Sequence, residues 1–311
     1  MKGTDFHLVK RGKLNRRAFV AMSAMSAVSA RAAVPVGFFK RRVVVAGGAA
    51  TLLLDEADAG SARAAYSVRL LRAAYAGQCL RVRRSSDNAE QDISFVDGYL
   101  DTSSLLTFVG ANDGFVVTWY DQSGNANDLA QATAGNQPKL VAAGALITAA
   151  GSKAAILGDG SNDALTKTMS YAGPQFVAIV MNQVTWTSQD FCWALNNGGN
   201  QILVQRDASP GLAMYDSGYS TVSNSAAVGT PFIFQTQMYS SGSFFQINNN
   251  SDVTFGNTNP TINSVNLFAY TSGGASAANV HFQEFVFWGV AHSSGVRTTI
   301  RNNQNAYFTV Y

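Results

Sequence analysis

Charge is scarce in this chain of 311 residues: Asp, Glu, Lys and Arg make up 13% of it, against the roughly 25% usual for soluble domains. Cysteine is scarcer still. Cys79 and Cys192 lie far apart and neither belongs to a Cys-x-x-Cys pair, which excludes a disulfide-stapled scaffold and a zinc ribbon and leaves two free thiols. The three histidines, His7, His281 and His292, have no second His or Cys at ligand spacing, so no metal and no cofactor are expected. No Gly-x-Ser-x-Gly elbow nominates a nucleophilic serine. Heptads with flanking charges are missing, and the 28 glycines follow no three-residue period, which removes coiled coils and collagen. Between Arg206 and Arg297 there is no Lys or Arg at all, which argues against a phosphate-tracking groove and against nucleic acid as a partner. The uncharged runs 18–30 and 43–54 fall short of the ~20 residues that cross a bilayer. No membrane span is expected.

What charge there is sits unevenly. Residues 1–42 hold ten Lys or Arg and the single acid Asp5, a local +9, so the other 269 residues carry −6. A basic, apolar segment on a mildly acidic body reads as an electrostatic tether. We place an assembly arm at residues 1–60, partly helical, with Arg16, Arg17, Phe19, Phe38, Phe39, Lys40, Arg41 and Arg42 as its contact residues for other proteins. Asn15-Arg16-Arg17-Ala18-Phe19 followed by small apolar residues also fits a twin-arginine export signal.

Residues 61–311 are expected to form one domain. The stretch 61–75 has apolar residues at Ala64, Ala65, Val68, Leu71 and Tyr75, a 3.6-residue period that predicts a helix. After it the period changes. Segments 79–84, 115–120, 176–181, 201–205, 232–239, 244–247, 265–270 and 280–288 are short, β-branched and aromatic, and are bounded by Gly, Asn, Asp or Ser. Ser293 caps a short terminal helix carrying Val296, Ile300 and Tyr307. The fold class is mainly β, two sheets face to face.

Residues 70–93, with their Cys79-Leu-Arg-Val-Arg-Arg84 core, and Trp119-Tyr-Asp-Gln-Ser-Gly-Asn-Ala-Asn-Asp-Leu129 resemble the opening of the catalytic domain of fungal α-L-arabinofuranosidase B. The resemblance continues through Gly158-Asp-Gly-Ser-Asn-Asp-Ala-Leu165 and Phe282-Gln-Glu-Phe285, and implies a concanavalin A-like β-sandwich, or jelly roll. Similar domains also resemble parts of bacteriophage tail and virion proteins. Within these motifs, Asp121, Ser123 and Gly124 read as a tight turn, and Arg81, Arg83 and Arg84 with Asp87, Glu90 and Asp92 as an ion-pair network.

A retaining glycosidase needs two carboxyl groups about 5 Å apart. The resemblance implies a nucleophilic Glu after a Cys-Cys pair and an acid in a Gly-Gly-Asp-Asn-like loop before the Phe-x-Glu strand. The first stretch is here Asp190-Phe-Cys-Trp-Ala-Leu-Asn-Asn-Gly-Gly-Asn200, with the Glu position near Gly199. The second is Ser272-Gly-Gly-Ala-Ser-Ala-Ala-Asn279, which contains no carboxylate. The sequence therefore predicts no catalytic residues. It predicts instead a glycan-binding face at Trp186, Asp190, Trp193, Asn196, Asn197 and Tyr215, aromatic and amide types that stack on and hydrogen-bond to sugars. The expectation that follows is a non-enzymatic, homo-oligomeric bacteriophage virion component, a tail fibre, spike or head decoration. Its arm would hold other virion proteins and its sandwich would bind host-surface glycan. The competing expectation is a secreted glycoside hydrolase or lectin.

Overall fold

The computed structural model describes residues 51–56, 61–195, 201–216, 218–239, 242–256 and 261–311. The contact residues assigned to the arm, Arg16 through Arg42, lie outside them, as do Asn196, Asn197 and Gly199. The fold is mostly β and antiparallel, a jelly-roll-like sandwich.

One layer runs Ala62–Ser67, Val280–Trp288, Gln175–Gln183, Phe232–Met238 and Ser243–Ile247, each antiparallel to the next. The other runs Glu90–Ile93, Leu80–Arg84, Gly114–Trp119, Leu129–Ala130, Leu165–Ala172, Thr261–Leu267, Phe191–Ala194, Ile202–Gln205 and Leu212–Tyr215. Short strands Lys139–Ala142 and Ile156–Leu157 bridge the two at one side. Trp193 of the second layer packs edge-on against Phe234 and Phe285 of the first, with ring centroids 6.2 and 6.0 Å apart. Gln175–Gln183 is buried at every position. Its other face lies under the terminal helix, whose Ile300 joins Phe176, Ala178, Val286 and Trp288 in a second core. A strand covered on both faces reads as a continuous apolar run rather than an alternation.

The helix predicted over residues 61–75 is not there. Ala62–Ser67 is a strand paired along Val280–Trp288, and Ala64, Ala65 and Tyr66 are all fully buried. With both faces covered, the segment loses the alternation that marks a strand, and its alanines imitate a helical period. The terminal helix forms at Ser294–Phe308, and Ser293 Oγ accepts the Val296 amide at 3.4 Å.

The turn at Asp121 fixes the strand Ala62–Ser67 from the side. Its Oδ1 accepts the amides of Ala65 and Ser123 at 2.8 Å each, and its Oδ2 accepts Ser123 Oγ at 2.7 Å and the Asn127 amide at 2.9 Å. Gly124 takes φ +92°, a region most residues avoid. Asp121→Ala strands several buried donors at once, so we expect destabilisation on the order of 3 kcal/mol. A lowered urea midpoint with unchanged slope would register it.

Candidate functional site

The loop 272–279, where the resemblance places an acid, carries no carboxylate of its own, but two other segments bring carboxylates to its flanks. Along one side lies the turn 158–163. Gly274, at φ +79°, sits so close to Asn162 that a Cβ there would come within 1.9 Å of the Asn162 carbonyl oxygen. Asn279 Nδ2 donates to the Asp159 carbonyl at 3.4 Å. Along the other side runs Asp190-Phe191, with the Phe191 amide donating to Ser276 O at 2.9 Å.

On the first side is a cavity of about 590 Å³, lined by Phe115, Gln137, Lys139, Asp159, Asp163 and Asn279 with an apolar wall that includes Ile147 and Leu157. Its polar groups are held by their own partners. Lys139 Nζ pairs with Asp113 Oδ2 at 2.7 Å, and Gln137 Oε1 accepts Arg83 Nε at 2.7 Å. Arg83 lies over the Phe115 ring at 4.7 Å. Asp159 Oδ1 accepts the amides of Ser161 and Asn162, and Asp163 Oδ2 accepts the Asp159 amide at 2.9 Å. Burial, reinforced by the negative charge of Asp159, pushes the Asp163 carboxyl up to about 6. Asn279 Oδ1 is buried with no hydrogen bond. The arrangement offers a proton-bearing acid, a second carboxylate and an apolar wall, the equipment for holding a sugar and protonating an oxygen.

The predicted glycan face is only partly assembled. Trp186, Asp190 and Tyr215 are half-buried, and the Asp190 carboxyl is raised by burial. The Trp186 indole donates to Gly211 O at 3.0 Å, and Tyr215 packs 4.9 Å from Tyr219. Trp193 is not part of that face. It is fully buried in the main core, because its position on Phe191–Ala194 points between the layers. The arginines do form ion pairs, Arg81 with Asp92 at 2.8 Å and Arg84 with Asp87 at 2.6 Å, whereas Arg83 turns inward to Gln137. His281 stays in its strand, and burial brings its imidazole down to about 4. Both cysteines are free and buried.

Asp159, Asp163, Lys139 and Gln137 were not singled out as site residues. The available signal was the pair of acids four positions apart in Gly158-Asp-Gly-Ser-Asn-Asp163, which along the chain reads as a turn.

The structure is a mainly antiparallel β-sandwich with a carboxyl-lined cavity at one side. Residues 55–174 match the family model described as alpha-L-arabinofuranosidase B, catalytic, a stretch that contains every cavity residue named above except Asn279. Among solved structures, the fold is similar to an arabinofuranosidase complexed with arabinofuranosyl-alpha-1,2-xylobiose, with TM-score 0.60. It is also similar to a GH54 α-L-arabinofuranosidase soaked with a cyclic sulfate inhibitor, TM-score 0.59, and to a glutamate-to-glutamine mutant of such an enzyme soaked with 4-nitrophenyl α-L-arabinofuranoside, TM-score 0.58. Each is 18% identical, over 78% of this chain and 62% of the other. The chain thus spans less than two thirds of those proteins, and the likeness is one of fold. No curated protein sequence matches it.

These matches correct the expectation of a non-catalytic virion component. The matching family model is one of catalytic domains, and the three solved structures named above are arabinofuranosidases.

Proposed function

We propose that this domain is a glycoside hydrolase acting on arabinofuranosyl-bearing glycans, with the cavity of Asp159 and Asp163 as its sugar pocket. One observation carries the reading. A buried carboxyl raised to about 6 stands beside a second carboxylate, in a cavity bounded by the loop 272–279. Asp163 protonates the glycosidic oxygen as the bond to the anomeric carbon breaks, the Asp159 carboxylate offsets the positive charge that develops on the sugar ring, and a water molecule adds to the anomeric carbon and returns a proton to Asp163. The Phe115, Ile147 and Leu157 side chains cover the apolar face of the ring. The arabinofuranosyl specificity is taken from what the matching structures were bound to.

The test is release of 4-nitrophenol from 4-nitrophenyl α-L-arabinofuranoside by the full chain between pH 4 and 7. Saturable turnover, competed by free arabinose, is expected. Absence of turnover together with absence of arabinose binding in calorimetry overturns the assignment.

A further inference from the structure

A second concave site, of about 340 Å³, is lined by Ser61, Ala62, Arg63, Arg72, Ser123, Asn125, Gly289 and Val290. Among the described residues its lining holds two arginines and no acid. Ordinarily a guanidinium on a protein surface finds a carboxylate or a carbonyl. Arg72 does so, donating from Nη1 to Ser123 O at 2.7 Å. The Arg63 guanidinium has no ion pair and no hydrogen bond to another described residue. It is nevertheless held in place. Its plane lies over the Tyr171 ring at 4.7 Å, and Tyr171 is itself anchored by donating its hydroxyl to Gly289 O at 2.5 Å. A Cβ at Gly289 would meet Arg63 Nε at 2.8 Å, so glycine leaves room for the side chain to lie there.

The floor is equally fixed. Asn125 Nδ2 donates to the carbonyls of Ala62 at 3.0 Å and Arg63 at 3.2 Å, tying the turn 121–127 to the strand beneath the arginine. The motif Tyr120-Asp-Gln-Ser-Gly-Asn125 therefore does more than end a strand: it builds one wall of a positively charged hollow. A guanidinium stacked on an aromatic ring has little freedom left to lose on binding, and its fork of donors matches an oxyanion in two parallel bonds.

We propose that this hollow binds an oxyanion carried by a glycan, a sugar carboxylate or a sugar phosphate, with Arg63 making the paired hydrogen bonds. The oxyanion chemistry stands on Arg63 alone, while its being carried by a glycan rests on the hydrolase reading.

Calorimetric titration of the full chain with glucuronate, glucose 6-phosphate, inorganic phosphate and glucose at low salt tests the proposal. Glucuronate or glucose 6-phosphate should bind where glucose does not, and whichever binds more tightly identifies the source of the anion. Arg63→Ala should weaken that binding at least tenfold, Arg63→Lys should recover part of it by restoring charge without the fork, and high salt should weaken the native site. Turnover of the neutral 4-nitrophenyl arabinofuranoside should be unchanged in both variants, which separates this site's failure from failure of the hydrolase assignment. Binding undiminished in Arg63→Ala, or binding of inorganic phosphate with neither sugar anion, overturns the proposal.

Discussion

Asp163→Asn should lower turnover of 4-nitrophenyl α-L-arabinofuranoside by about 10²–10⁴-fold, the usual share of a positioned acid, while making the folded protein more stable above pH 7. The two effects share one cause. Burial and the charge of Asp159 raise the Asp163 carboxyl to about 6 from an ordinary value of 3.8. A carboxyl raised in the folded state binds its proton more tightly there than in the unfolded chain. Its contribution to stability is therefore complete below the unfolded value, near 4, and is lost as pH climbs through about 6. The difference corresponds to about 3 kcal/mol. Native activity should follow the protonated form and decline over the same interval. Asparagine has no charge to bury, so the variant should lack the fall in stability that Asp163 imposes between pH 4 and 7 and keep only the rise that the buried His281 imidazole contributes over that range. Denaturant midpoints across that range, with rates measured on the same samples, check both halves. A variant that retains full activity, or native activity that rises through pH 6, removes Asp163 as the acid.

Breaking the Arg69–Glu284 pair should give the largest loss of stability, about 3–5 kcal/mol for either Glu284→Ala or Arg69→Ala. Glu284 is wholly buried and Arg69 is 5% exposed. Glu284 Oε2 accepts Arg69 Nε and Ser67 Oγ at 2.8 Å each, and Oε1 accepts Arg69 Nη2 at 3.1 Å. The guanidinium also lies over the rings of Tyr307 and Phe308, at 4.9 and 5.4 Å. One ion pair thus links the end of Ala62–Ser67, the strand Val280–Trp288 and the terminal helix. Removing one partner leaves the other charge buried without compensation. Replacing both, as in Arg69→Met with Glu284→Leu, should cost less than either single alanine change, because no orphaned charge remains. Equilibrium unfolding of the four proteins supplies the comparison. Purely additive losses would show that the pair is not coupled.

The sequence was most legible where a single face or a local motif sets the structure. Segments 176–181 and 280–288 read as strands because β-branched and aromatic residues crowd them, and they form Gln175–Gln183 and Val280–Trp288. Ser293 reads as a cap because a hydroxyl before an amphipathic run has one evident use. The turn around Asp121 follows from side chains that bond amides two to six positions away. Legibility failed for Ala62–Ser67, where cover on both faces erased the alternation, and for Trp193, whose identity suits a sugar platform as well as a core.

By itself the amino-acid sequence determined the class of fold, the free thiols, the terminal helix and the turn motifs, since each depends on composition or on contacts between near neighbours in the chain. Only the tertiary structure decided where the chemistry can occur. Asp159 and Asp163 meet Asn279 across more than a hundred residues, and Arg63 meets Gly289 and Tyr171 in the same way. Burial, which raises one carboxyl, and stacking, which fixes one guanidinium, are properties of neighbours in space, and linear spacing carries no record of them.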